Sequence, residues 1–495
     1  MGTVAINGTG LVTVAGVAAG TSSIATITTT KSNTVGGTAD VAATSLAAAL
    51  SPTFGSTTAT ADGFTVQIRN YNSTYTWTGT ATASGTVAID STGLITVTGV
   101  AANTSSTVTI TTTQTGYAGG TADVAETSLL AALDPAFGST TATAHGFTVP
   151  ITNYDSSYTW AGTATASGSV AINGSGLVTV IGVAPGTSST ATITTTRTGY
   201  TGGTNTVTAT SLVAMSMVTV GNAGNAADTT GYGDVSYSYQ IGAYDVTGSQ
   251  YTAFLNAVGS TDTYALYNAS MGTDTDVAQI SQSGTSGSYT YAVLNNTGSR
   301  PITYVTWFDC ARFSNWVSNG QPSGAQISTT TENGAYNVNG AISGNAVAAN
   351  ATNPNTGSTP TYRIPIENEW YKAAYYSPNY GGTGVGGYYT YATQSNVAPG
   401  TTIGSSPNQA NYDQPLGTAT DVGSFSGSGS FYGTFDQSGN VFQWNDLDGT
   451  AGSERGWRGG AWSSFDSYNV SSSFSLSFVP SFEFDNIGFR LASPV

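Results

Sequence analysis

One cysteine, Cys310, and one histidine, His145, bound the covalent and acid–base chemistry open to this chain of 495 residues. A lone thiol builds neither an intrachain disulfide framework nor a multi-cysteine metal site. Within FDCARFSNW, residues 308–316, Cys310 is expected as a core thiol and not as a nucleophile. His145 stands where Asp62 stands one repeat earlier, so a solvated turn is expected there. Carboxylates such as Glu367, Glu369 and Asp436 are available. Without a histidine partner they assemble no nucleophile, base and orienter set, and no spacing singles out an acid pair of the glycosidase kind.

Recognition chemistry is better supplied. In residues 463–486, Ser473, Ser475 and Ser477 alternate with Phe474, Leu476 and Phe478, a period of two that predicts a strand with one small polar face and one apolar face. Phe465, Tyr468, Phe482 and Phe484 flank it, and Trp462 precedes it. Aromatic rings give contact area at low entropy cost and small hydroxyls give adaptable hydrogen bonds; a binding face uses both, a core only the first. The predicted ligand-binding residues are Trp462, Phe465, Tyr468, Ser473, Phe474, Ser475, Phe478, Phe482 and Phe484, with at least two of the Phe and Tyr rings exposed on one face.

Ten Lys and Arg against 26 Asp and Glu give a net charge of −16, the wrong sign for a general phosphate-backbone binder, so no nucleic-acid partner is expected. No apolar run is long enough for membrane insertion, and residues 1–11 lack the basic and apolar regions of a secretion signal. With 28 Tyr, 17 Phe and 8 Trp the chain is too aromatic for a disordered one, and 63 Gly among Thr, Ser and Val tracts favour β-structure with many turns.

The elements that carry these residues begin with a repeat. GTVAINGTGLVTV from Gly2 returns as GTVAIDSTGLITV from Gly85 and GSVAINGSGLVTV from Gly168, a spacing of 83 residues that fits one small β-sandwich per repeat. Within a unit, FTVQIRNY, YTWTGTATAS, TVAI, LITVTGV and STVTITTT read as short strands separated by Gly, Asn, Asp and Ser. Trp77 recurs as Trp160 and Tyr117 as Tyr200, in the places of shared core anchors. The threonine-rich strand faces are expected to be solvent-exposed and not ice-binding. These modules resemble the bacterial immunoglobulin-like repeats of adhesins and phage fibres. The boundaries expected are a partial module at residues 1–50, whole modules at 51–133 and 134–214, and a different domain at 215–495. The partial module is read as a truncation or as an open edge that another chain completes.

In the last domain the apolar spacing of Tyr251, Phe254, Leu255 and Val258 predicts a helix with Thr247 as its N-cap. Phe308, Ala311, Phe313 and Trp316 predict a second, and ENEWYKAAYY after Pro365 a third. The ordered motifs YQIGAYDVTG, PITYVTWFDCARFSNW, YRIPIENEWYKAAYY, FDQSGNVFQW, RGGAW and NIGFRLA together resemble the formylglycine-generating-enzyme and sulfatase-modifying-factor family. That resemblance implies an α+β C-type lectin-like domain at the end of a mainly β stalk. It also implies a copper-binding cysteine pair between RGG-W and GFR, which this chain lacks, and a histidine set for the related iron-dependent enzymes, absent from this domain. Calcium is the cofactor the resemblance implies, with Asn411, Tyr412, Asp436, Gly439, Val441 and Gln443 as candidate ligands; Gln443 stands where the family has Glu. Retroelement-diversified phage and bacterial proteins use the same fold with variable residues in the interval that here holds the predicted binding residues.

The function expected is a non-catalytic receptor-binding or adhesive fibre protein, a homo-oligomer on a virion or cell surface, recognising a host-surface or cell-surface protein or glycan. The alternatives are a structural decoration or filament subunit, and third an enzyme derived from the oxidase family.

Overall fold

The computed structural model describes residues 2–494. The chain forms two compact units, one of Met1–Thr141, Thr148–Ile181 and Thr190–Thr208, the other of Ala142–Phe147, Gly182–Ser189 and Ala209–Val495.

In the first unit, residues 54–127 make a two-sheet sandwich. Strands Phe54–Thr60, Gly63–Ile68, Leu94–Thr98 and Thr86–Ile89 form one sheet in that order; Gly120–Thr127, Ser105–Thr113 and Thr76–Ala81 form the other. Alternate residues point inward, and Phe64, Val66, Ile95, Val97, Val108 and Ile110 are buried between the sheets. Burial stabilises by roughly 1.5–3 kcal/mol per large apolar side chain. Gly79 makes the close approach possible, because a Cβ there would lie 2.7 Å from Val87 and 2.8 Å from Ile110. The pattern recurs 83 residues on, where Thr159–Ala164 pairs with Ser188–Thr196 and Ser169–Ile172 with Leu177–Ile181.

Trp77 and Trp160 do occupy equivalent places, but as half-buried edge residues and not as core anchors. Each indole stacks on a tyrosine, Tyr71 at 5.4 Å or Tyr154 at 5.3 Å, and donates its N–H to a backbone carbonyl, of Asn72 or Asp155, at 2.9 Å. A ring whose nitrogen must reach a partner settles at the rim of so small a sandwich. Tyr117 and Tyr200 are likewise not core: each meets another tyrosine edge to face, Tyr75 or Tyr158.

In residues 2–50 the strand pairs Thr3–Ile6 with Val12–Ala15 and Ser22–Thr29 with Gly37–Thr44 are present, and no counterpart of Gly63–Ile68 covers them. Val14 is accordingly 38% exposed where its repeat-mate Val97 is fully buried.

The second unit is α+β. Helix α1, Gly248–Val258, starts at Thr247, whose hydroxyl accepts from Gln250 N while the Gln250 side chain accepts from Thr247 N, a reciprocal capping box. After the short α2, Ser270–Thr273, comes α3, Trp307–Ser318, capped the same way by Thr306 and Asp309 and buried along its whole length. Helix α4 is Glu367–Tyr375. Phe254 of α1 packs edge to face on Phe313 of α3, which packs in turn on Phe489.

Phe489 belongs to the central sheet, ordered Leu476–Phe478, Arg455–Arg458, Phe442–Asn445 and Ile487–Phe489, the last pair parallel and the others antiparallel. A second sheet joins Met217–Val220, Tyr239–Gly242 and Ala492–Pro494, so that the two ends of this unit are hydrogen-bonded together. Of the few cationic side chains, Arg312, Arg455, Arg458 and Arg490 are buried on Glu332, Asp446, Glu367 and Asp245, so these charges serve the scaffold.

Candidate functional site

The predicted recognition segment enters the central sheet for only three residues, Leu476–Phe478, where Ser477 faces Gly456 across the ladder and Phe478 faces Arg455. Leu476 is 37% exposed and Ser473, Ser475 and Ser477 are also exposed, so the expected two-faced strand does not form along its full length. Phe474 and Phe478 are half-buried.

The rings of this region form one connected series. Tyr468 meets Phe474 edge to face at 5.6 Å, Phe474 meets Phe442 at 6.2 Å, and Phe442 meets Trp457 at 5.9 Å. Trp457 then stacks on Phe478, Phe478 meets Phe482 at 5.1 Å, and Phe482 meets Phe484 at 6.3 Å. The middle of the series is buried and its ends are not: Phe442 is 8% and Trp457 4% exposed, against 55% for Tyr468, 36% for Phe482 and 51% for Phe484. Phe465 is the most exposed aromatic of the segment, at 76%, just before a 3₁₀ turn that Asp466 caps by accepting from Tyr468 N. Trp462 corrects the expectation: it is buried among Val277, Ala419 and Val441, and the turn after RGGAW folds it under the segment.

Carboxylates border the outer rings. Asn268 Nδ2 donates to Glu483 at 2.7 Å, and burial beside Asp274 and Asp276 raises the Asp485 carboxyl above its ordinary range. A partner landing here meets aromatic area with an acidic margin, which repels anions.

Several of the calcium candidates have protein partners of their own. Gln443 Oε1 accepts from Trp370 Nε1 and from Arg490 Nε, both at 2.6 Å, and its amide donates to Asp436 O. Asp436 faces Gly423 N and the Arg490 charge, and its carboxyl is pushed up to about 6 by burial. The Tyr412 hydroxyl donates to Pro399 O. Asn411, whose carbonyl accepts from Asn440 N, lies against Gly439 on the other side, and its buried Oδ1 has no hydrogen-bond partner. Gln443 and Asp436 are thus both engaged with the Arg490 side, Gln443 by a hydrogen bond and Asp436 by charge. Among the described residues no group of three or more His, Cys, Asp and Glu is placed to hold a metal.

Cys310 is fully buried and burial pushes its thiol well above the usual range. It is a core residue of α3.

Sequence reasoning missed a cavity of about 750 Å³ walled by Tyr376, Tyr380, Tyr388 and Tyr389 together with Ala226–Thr230 and Ser472–Ser473. Tyrosine pairs on either side of GGTGVGG, a hairpin signal, could have revealed it.

An α+β unit whose ends meet in one sheet, and whose RGG-W and GFR motifs bracket the exposed segment on two strands of the central sheet that flank Phe442–Asn445, defines a C-type lectin-like domain. Residues 201–495 match the sulfatase-modifying factor enzyme 1-like domain, and the chain belongs to that family. Among solved structures, CarF is similar at 20% identity, covering 57% of this chain and 99% of its own, with a TM-score of 0.33. The Treponema denticola variable protein 1 is similar at 18% identity, covering 61% and 99%, with a TM-score of 0.33. PvdO from Pseudomonas aeruginosa is similar at 16% identity, covering 57% and 93%, with a TM-score of 0.29. No curated protein matches the chain.

Proposed function

We propose that this is a non-catalytic recognition protein, a receptor-binding or adhesive fibre component of a virion or cell surface, whose lectin-like domain binds a surface protein or glycan. The single observation that carries the reading is the connected series of rings, which runs from buried Phe442 and Trp457 to exposed Phe482 and Phe484. Rings anchored in a core at one end and presented to water at the other are pre-organised contact area, and large aromatics dominate binding energy when desolvated. A soluble domain gains nothing in folding from leaving them outside. The missing cysteine pair between Arg458 and Arg490 supports a binding role over oxidation.

The test is retention of the full-length protein on candidate host cells, quantified by flow cytometry, with Phe482→Ala/Phe484→Ala as the variant. Attachment should fall by about 10-fold or more with the fold intact. Undiminished attachment of the double variant would sink the proposal.

A further inference from the structure

None of the rings of the exposed series lines the tyrosine-walled cavity, which shares with the predicted recognition segment only Ser472 and Ser473. At about 750 Å³ it falls within the usual range of small-ligand sites. Its wall is aromatic and hydroxylated: it combines the rings of Tyr376, Tyr380, Tyr388 and Tyr389 with the polar side chains of Thr229, Asn396 and Ser473.

These rings are fixed in place. Tyr380 packs edge to face on Tyr389 at 4.9 Å, and Tyr376 on Tyr388 at 5.1 Å. Asn396 Nδ2 donates to the Tyr380 hydroxyl at 2.9 Å, and the Tyr388 hydroxyl donates to Ala226 O at 2.8 Å. Gly387 carries no side chain where a Cβ would come within 2.5 Å of the Tyr380 ring, so the glycine leaves room for that ring. Pre-organised walls lower the entropy lost on binding.

The charge pattern narrows the ligand. Asp228 is the only charged residue of the lining, and its carboxylate already accepts from the Tyr371 hydroxyl at 2.5 Å and from Thr229 N at 2.7 Å. Behind the wall, Lys372 donates to Asn222 O, and Arg458 is engaged by Glu367 and by Ser472 O. A phosphate, sulfate or carboxylate would therefore meet a carboxylate with no cation in the lining to receive it. A wholly apolar ligand would strand the hydroxyls. A ligand with apolar C–H faces for the rings and a rim of uncharged hydroxyls for Thr229, Asn396, Ser473 and Asp228 satisfies both surfaces.

We infer that this cavity is a binding site for a neutral saccharide. The inference does not depend on the exposed rings, and the test separates the two. Full-length protein is titrated calorimetrically with glucose, galactose, mannose, N-acetylglucosamine and their β-linked disaccharides, with glucuronate and glucose 6-phosphate as anionic controls. Saturable millimolar or tighter binding of at least one neutral sugar is expected, weakened about 10-fold or more by Tyr380→Ala and by Asn396→Ala, and little changed by Phe482→Ala/Phe484→Ala. Tyr380 is 40% exposed, so its truncation should leave thermal unfolding nearly unchanged, and a circular-dichroism melt checks this. No saturable binding across the panel, binding of the anionic controls at equal strength, or binding untouched by Tyr380→Ala and Asn396→Ala would overturn it.

Discussion

The ring of Phe478 lies on the indole of Trp457 with centroids 4.0 Å apart and planes inclined by 25°. The two residues do not face each other across the ladder, since Phe478 faces Arg455 and Trp457 faces Leu476. Theirs is the diagonal contact that only large side chains can close. It makes Trp457 the floor of the ring series and Phe478 its first step toward water.

That gradient predicts a gradient of stability. Trp457→Ala, at a buried site, should cost about 3–5 kcal/mol, and half-buried Phe478→Ala about 1–2 kcal/mol. Phe484→Ala should cost less than about 0.5 kcal/mol. Urea unfolding of the three variants orders them; a Phe484→Ala loss equal to that of Trp457→Ala would mean the rim belongs to the core.

Oxidation of a cysteine peptide to formylglycine should not occur with copper supplied, because residues 459–489 contain no cysteine and Cys310 is buried with its thiol pushed up. Mass spectrometry of the peptide checks this, and turnover abolished by Cys310→Ala would reverse it.

Calcium asks for roughly six to eight oxygens, usually with carboxylates among them. With Gln443 and Asp436 committed to the Arg490 network, millimolar calcium should shift the melting temperature by less than about 1 °C. A rise of several degrees that Asn411→Ala removes would restore a cation at the unpaired Asn411 Oδ1.

Stability should fall as pH rises through the weakly acidic range. Burial pushes the Asp309 carboxyl up to about 7, against two hydrogen bonds from Thr306 that favour the charged form. The unfolded value is about 3.9, so the folded state holds this proton longer, and the group's contribution is complete below about pH 4 and lost as pH approaches the folded value. Asp245 and Asp436 are raised in the same sense. Urea midpoints between those limits should decline more steeply for the wild type than for Asp309→Asn, which has nothing to titrate there; parallel curves would remove Asp309 as a source.

The helices were legible because their signals are local. The Tyr251, Phe254, Leu255 and Val258 spacing and the Thr247 cap both lie within one turn or two, and both recur in α1. The 83-residue period likewise exposed the sandwiches, but not the depth of Trp77, which depends on where its N–H finds Asn72 O. The recognition segment was legible in composition and not in geometry. Its Ser and Phe alternation suggested a long strand, while the ladder with Arg455–Arg458 lasts three residues, and Trp462 turns inward because Val277, from a distant part of the chain, waits for it. Gln443 shows the same limit: its identity is plain, but the donors that claim its oxygen, Trp370 and Arg490, are 73 and 47 residues away.

Contact between Trp457 and the outer rings also makes the protein its own optical reporter. Anything that seats on Phe482 displaces water beside a ring whose centroid is 5.4 Å from that indole and changes the polarity the indole senses. Docking at the rim should therefore shift the intrinsic emission spectrum with no dye attached, and replacing Trp457 by Phe should silence that signal even where docking persists.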